Sequence, residues 1–261
     1  IKKLILIWGF ELIKSKKLTK FKNINHAFFN SFGGISTGIY KSLNCGRGTL
    51  DSKKNISRNL NIVSKKIGCK KKNLILLNQI HSNKIFYIKK IKKKKLTGDG
   101  LITNQKGIAL GILTADCIPI LIYDNKLKII AAVHAGWKGI YRNIVSNVIK
   151  FFLKNGSQTK HLYAAIGPCI TVKSYEIQKD FKKKFIKKDK NSKFFFKKRK
   201  NKTYFSLNNY VYYQLKKLGI KNLDIINKNT FDPKNNFFSS RLSIHNKEND
   251  YGRNISIIMI K

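Results

Sequence analysis

Residues 114–139 read TADCIPILIYDNKLKIIAAVHAGWKG, two apolar runs of strand-forming residues on either side of a short polar break. Each run is short, β-branched and bounded by turn-forming residues, as expected of buried strands. The break DNKL places Asn125 and Lys126 in a two-residue hairpin loop, where asparagine tolerates the positive φ that such loops need. In that register facing residues sum to 251, which sets Cys117 opposite His134. Directly opposed residues on an antiparallel pair point to one face with Cβ atoms about 4.5–5.5 Å apart. That spacing suits two ligands of one metal, or a thiol and its base. Taken singly, each residue also has an ordinary reading, as a small buried thiol and a hydrogen-bonded strand-end histidine.

The same pattern recurs outward from this hairpin. KLILIW, HAFF, LILLNQI, KIFYI, IALGIL, LYAAIG, LDIIN, FFSSRLSI and NISIIMI read as strands. Helical spacing is confined to fewer segments. Residues 139–155 put Ile140, Ile144, Val148 and Phe152 on one face and stop at Gly156, and 55–68 and 207–219 likewise end in glycine. Strands interspersed with about three or four helices predict an α+β fold, with sheets covered by helices. The 261 residues suffice for one large core, and no Pro/Gly/Ser-rich linker divides them, so residues 1–261 are expected to form a single compact domain.

The net charge of +43, from 55 Lys and Arg against 12 Asp and Glu, would ordinarily point to nucleic acid. The excess is almost all lysine, accompanies abundant Ile, Asn, Phe and Tyr, and lies in runs such as FKKKFIKKDKNSKFFFKKRKNK between apolar segments. This is the mark of AT-rich codon usage and a solvated surface, not of a nucleic-acid stripe. The apolar start, IKKLILIWGF, is interrupted by Glu11 and lacks a small-residue cleavage site, and no run approaches the roughly 20 apolar residues of a membrane span. A cytoplasmic protein is expected, without a membrane partner, as a monomer or small homo-oligomer. The cysteines at 45, 69, 117 and 169 have neither metal-finger nor disulfide-scaffold spacing and read as reduced thiols.

Four motifs in order, GDGLIT (98–103), TADCIPIL (114–121), VHAGWKG (133–139) and AAIGPCI followed by SYEI (164–177), resemble the multicopper polyphenol oxidase, or laccase-domain, family of YfiH-like proteins. HAFFNSFGGIS, SLN and NQIH upstream, and FFSSR and GRN downstream, extend the likeness over residues 26–254. The resemblance implies a four-layer α/β/β/α domain with mixed sheets. It also implies a metal site of His81, Cys117 and His134, of which His81 is reached by the resemblance alone. Two imidazoles and a thiolate suit Zn2+ and leave a fourth position open, as catalytic zinc requires, although copper takes the same ligands. Only five histidines occur, at 26, 81, 134, 161 and 245, too few for the several coppers of a true laccase.

Members of this family are described as purine nucleoside phosphorylases, acting on adenosine, inosine or methylthioadenosine with phosphate, with adenosine deaminase side activity. The resemblance therefore implies a purine nucleoside and phosphate as partners. It also offers Asn44, Gln79, His26 and Arg241 as substrate-binding candidates. Trp137 is a candidate for base stacking and Glu176 for proton transfer, while Asp116 and Cys169 read as structural. A second reading is a hydrolase editing peptidoglycan precursors, with Cys117 as nucleophile and His134 as base. A third is a basic nucleic-acid-binding protein with a vestigial site, against which the intact ligand set argues. The sequence departs from the family pattern at Ser31, Lys138 and Leu242, where arginine is usual, and at Asn229, where cysteine is common. Lys138 lacks the bidentate fork of arginine.

Overall fold

The computed structural model describes residues 12–91 and 96–261; the KLILIW strand expected at 3–8 lies outside them. In chain order the elements are β1 (Leu12–Ile13), β2 (Ile24–Phe29), α1 (Lys53–Ile67), β3 (Leu74–Ile75), β4 (Ile85–Tyr87), β5 (Gly100–Thr103), β6 (Ala109–Thr114), β7 (Ile118–Asp124) and β8 (Ile129–Ala135). There follow α2 (Trp137–Tyr141), α3 (Ile144–Lys154), β9 (Leu162–Ile166), β10 (Glu176–Ile177), α4 (Lys179–Lys188), β11 (Phe196–Arg199), β12 (Lys202–Phe205), α5 (Leu207–Lys217), β13 (Asn222–Ile225), α6 (Ser240–His245) and β14 (Asn254–Ile260).

Two mixed sheets stack face to face, one ordered β1-β2-β14-β6-β3 and the other β13-β9-β7-β8-β5-β4. Strand alternation divides their apolar residues among three cores. Phe28, Leu110 and Ile258 of the first sheet meet Leu121, Tyr123 and Ala132 of the second between the sheets. The outer face of the first sheet is covered by α1 through Ile56, Leu60, Val63 and Ile67. The outer face of the second carries α3 and α5, with Val148, Phe152, Tyr210 and Leu215 buried there. The layering is thus the α/β/β/α order that the resemblance implied. Each fully buried Ile, Leu or Phe contributes roughly 1.5–3 kcal/mol, so three such layers dominate the stability. A small sheet, β10-β12-β11, lies beside α4, whose Phe181 and Phe185 stack at 4.4 Å among other aromatic rings while its lysines face outward.

Three sequence readings are corrected. The β7–β8 hairpin exists, but Pro119 pairs with His134 and Asp124 with Ile129, so facing residues sum to 253 and the loop has four residues, 125–128. Asp124 causes this, its Oδ1 accepting the N–H groups of Lys126 and Leu127 and closing a wider turn. A shift of two keeps every side chain on its face, so Cys117 and His134 remain on one side as diagonal neighbours. The helix expected over 139–155 is broken at Asn143, which adopts a left-handed φ of 68°, although Ile140, Ile144, Val148 and Phe152 are all buried as the spacing requires. FFSSRLSI is not a strand. Ser239 accepts the Leu242 N–H and starts α6 there, with the Asp116 carboxylate taking the Arg241 N–H.

His26 on β2 is buried, 4% exposed, and its Nε2 accepts the Ser15 N–H, tying the chain ahead of β2 to the sheet. Burial first, and the Lys14 charge second, lower its pKa to about 4. The folded state therefore binds fewer protons than the unfolded state between about pH 4 and 6.5, and stability rises with pH across that window. About 3 kcal/mol, present above pH 6.5, is expected to be lost by pH 4. Urea midpoints of the chain and of His26→Asn at several pH values measure it, and equal slopes for the two would refute the assignment.

Candidate metal centre

The centre lies where the inter-sheet face reaches the end of the second sheet. His134 is the penultimate residue of β8 and Cys117 directly precedes β7. His81 stands in the β3–β4 connection with a left-handed φ of 57°. The ligating atoms of His81, Cys117 and His134 all lie within 4.8 Å of one another. Cys117 Sγ is 3.6 Å from His81 Nε2, and the two imidazole rings cross at 75° with centroids 4.7 Å apart. The sequence supplied all three residues, and the fold brings them together.

What sequence reasoning missed is Asp99, although it quoted the GDG motif that contains it. Asp99 is fully buried and its Oδ1 accepts from His134 Nδ1 at 2.7 Å. The same carboxylate takes the N–H groups of His81 and Ser82 and the Ser82 hydroxyl. One side chain thus fixes the ring of one ligand and the backbone of another, leaving His134 Nε2 free to face Cys117 and His81. Burial pushes the Asp99 carboxyl up, but the bonds from His134 and Ser82 hold it down at about 2. Burial likewise opposes ionisation of Cys117; the His134 charge and hydrogen bond, with His81 behind them, bring that thiol down to about 6. His134 moves the other way, since the Cys117 thiolate and the Asp99 bond outweigh burial and raise it to about 9. The opposed shifts favour a thiolate and an imidazolium in the metal-free pair, an arrangement suited to binding a cation or to acting as a nucleophile and its acid.

The motif after His134 has a steric reason. A Cβ on Gly136 would sit 2.6 Å from His81 Cδ2 and 2.9 Å from Cys117 Sγ, so only glycine lets the chain turn here beside the ligands. Gly136→Ala is expected to displace both and to lower metal affinity by at least about tenfold, in the range seen when a ligand's support is lost. Titration of the stripped variant with zinc checks this, and wild-type affinity would refute it. The break at Asn143 serves the same place: Asn83 Nδ2 donates to the freed Arg142 carbonyl, and Arg142 Nη1 donates to the His81 carbonyl.

The three candidate ligands line a cleft of about 1550 Å³, walled by residues 74–79, 86–91 and 113–115 and by the loops holding residues 46–49 and Tyr251 and Arg253. Gln79 lines it, but both ends of its amide bond the Leu113 backbone. Asn44 is buried beside the cleft, its Oδ1 accepting from Gly46 and Arg253 N–H groups. His26 and Arg241 are not brought to the cleft wall. His26 holds Ser15, and Arg241 Nη1 donates to the Glu176 carbonyl. Trp137 packs against Phe181 at 5.4 Å and Glu176 pairs with Lys202 at 3.0 Å, both away from the cleft lining. Asp116, with φ 83°, binds the Thr230 hydroxyl and α6, and Cys169 is a buried thiol whose pKa burial raises. Of the departures, Ser31 is buried and its N–H donates to the Asn236 carbonyl, while Lys138 is exposed.

Among the described residues no helix is long and apolar enough to cross a membrane. The family model for multi-copper polyphenol oxidoreductase laccase matches residues 25–261. A purine nucleoside phosphorylase of Rickettsia conorii is 37% identical over 195 residues, 74% of this chain and 80% of that protein. One of Haemophilus influenzae is 30% identical over 243 residues, 91% of this chain and 94% of its own. The crystal structure of Neisseria meningitidis protein NMB0706 superposes with a TM-score of 0.83 at 26% identity, covering 92% of this chain and 95% of the other. The Bacillus licheniformis hypothetical protein YfiH gives 0.82 at 23% identity over 91% and 93%, a likeness of fold. With motifs and layers in agreement with these matches, the chain belongs to the laccase-like, YfiH-type family, whose curated relatives include purine nucleoside phosphorylases.

Proposed function

We propose that this chain is a zinc-dependent purine nucleoside phosphorylase, converting adenosine, inosine or methylthioadenosine and phosphate to free base and ribose-1-phosphate, with adenosine deamination as a side activity. The observation that carries the reading is the convergence of His81, Cys117 and His134 on one point of the large cleft, with Asp99 fixing His134. Two imidazoles and a thiolate fit zinc, and Asp99 on Nδ1 leaves Nε2 as the ligating atom. A bound zinc supplies Lewis acidity toward a substrate oxygen at its open position. The chain's own residues orient and enclose. Leu77, Phe86 and Leu113 give the cleft apolar walls for a planar base. Its volume exceeds the roughly 300–1,000 Å³ of an ordinary ligand pocket, leaving room for a nucleoside and a second reactant.

The test is to incubate zinc-loaded and chelator-stripped protein with adenosine and phosphate and to follow adenine, inosine and ribose-1-phosphate, with metal analysis separating zinc from copper. Ribose-1-phosphate formed only by the loaded protein supports the reading; untouched adenosine ends it. Metal uptake also has a pH signature. Between about pH 6 and 9 the metal-free pair holds one proton, on His134, and ligation expels it. Apparent zinc affinity is therefore expected to rise about tenfold per pH unit in that window from this pair and to level off above it. A pH-independent affinity would contradict the pairing.

The thiolate–imidazolium pair also favours a second reading, a metal-free hydrolase of peptidoglycan precursors with Cys117 as nucleophile and His134 as base. Cleavage of a muramyl-serine nucleotide that survives chelation would support it over phosphorolysis.

A further inference from the structure

Among the described residues five cations, Arg47, Lys72, Lys89, Lys90 and Arg253, line the cleft, and no carboxylate does. Of these Arg253 is built in. Its N–H donates to Asn44 Oδ1, which also holds the Gly46 N–H. Its stem lies against Gly46, where a Cβ would come 2.6 Å from Arg253 Cγ. The guanidinium stacks 3.7 Å from the centre of the Tyr251 ring, and Nη1 donates to the Tyr251 and Gly252 carbonyls. Among the described residues it makes no ion pair, and Nε and Nη2 make no hydrogen bond. Asp250, whose charge reaches it, is engaged by the Tyr40 hydroxyl and the Leu50 N–H. Burial lowers the arginine's pKa, and the Cys117 thiolate is among the charges opposing that. A half-buried guanidinium held rigidly, with one edge free and no carboxylate, is a costly arrangement unless an anion completes it.

We propose that Arg253 anchors a phosphate-oxyanion subsite in this cleft, its free edge binding either inorganic phosphate or the phosphate ester of a nucleotide. Asn44 and Gly46 position it, and Arg47 adds a second guanidinium to the same wall. Its part in turnover rests on the phosphorolysis reading; binding itself does not.

The test titrates inorganic phosphate, adenosine and adenosine 5′-monophosphate into the zinc-loaded full chain, its Arg253→Gln variant and its Arg253→Lys variant. Arg253→Gln is expected to weaken phosphate binding about 10–100-fold with zinc content unchanged. Arg253→Lys, which keeps the charge and loses the fork, is expected to weaken it less, and it carries the test if the glutamine variant fails to fold. A preference for the monophosphate over adenosine that disappears with Arg253 identifies the ester as the source; its absence, with phosphate binding still dependent on Arg253, identifies the inorganic ion. Unchanged phosphate affinity in the folded variants, or a wild-type chain that binds neither anion, overturns the proposal. A chain without turnover whose phosphate binding needs Arg253 ends the phosphorolysis reading and leaves the subsite. Turnover with an unaltered phosphate KM in Arg253→Gln does the reverse.

Discussion

Cys117→Ala is expected to abolish ribose-1-phosphate formation and to release the metal. Structural zinc sites with four ligands bind with about 10–16 kcal/mol, so one ligand is worth about 3–4 kcal/mol, or some 10²–10³-fold in affinity. The thiolate counts for more than that average here, because it is the one anionic donor beside two neutral imidazoles. The fold should survive, since Cys117 precedes β7 and the strand's own buried residues, Ile118 to Asp124, are untouched. Metal content by elemental analysis, thermal unfolding and product formation read these effects separately. A folded Cys117→Ala protein with full metal and full activity would show that the centre is not where the donors converge. Cys117→Ser distinguishes the two chemical readings. Weakened zinc binding together with impaired phosphorolysis marks a ligand, whereas retained zinc with loss of a metal-independent hydrolysis marks a nucleophile.

Removing Asp99 is expected to have the largest effect on stability. Its carboxylate satisfies His134 Nδ1–H, the His81 and Ser82 N–H groups and the Ser82 hydroxyl, in a position without solvent exposure. Asp99→Ala leaves several donors unpaired, each costing about 1–3 kcal/mol, and a loss of about 3–5 kcal/mol is expected. Asp99→Asn is the gentler change. The amide oxygen can still accept from His134, but the charge that favours the imidazolium is gone and half of the acceptor capacity with it. Its zinc affinity should fall about 10–100-fold while the fold persists. The pH dependence of zinc binding should also shift, because His134 then loses its proton at lower pH. Wild-type stability in Asp99→Ala, measured by urea unfolding of metal-free protein, would overturn the role given to this carboxylate.

Much of this was legible in the chain. The side-chain period of two in a strand set which residues of β7 and β8 share a face, and a register error of two left Cys117 and His134 on one face for the same reason. The helix spacings of Ile56, Leu60, Val63 and Ile67 and of Ile144, Val148 and Phe152 identified the layers that cover the sheets, since burial of a stripe is a local property of sequence. The ordered motifs carried the family and the three residues of the candidate metal centre. What local reading could not reach were contacts made across long separations. The hairpin's four-residue loop is the local exception, set by the Asp124 carboxylate turning back on its own loop. The start of α6 depends on Asp116, 125 residues from the N–H of Arg241 that it accepts. The break at Asn143 is used by Asn83 and Arg142 to hold His81, about 60 residues away.

The sequence by itself therefore determined most strands of the two large sheets, the shared face of Cys117 and His134 and the three candidate donors, because the strand period and the motifs are written along the chain. Only the tertiary structure decided that Asp99 locks His134, that Gly136 must lack a side chain, that His26 and Arg241 stand off the cleft wall and that Arg253 stands on it with an edge to spare. Distances and buried charges belong to the packed sheets, where residues far apart in the chain share one small volume and must satisfy one another there.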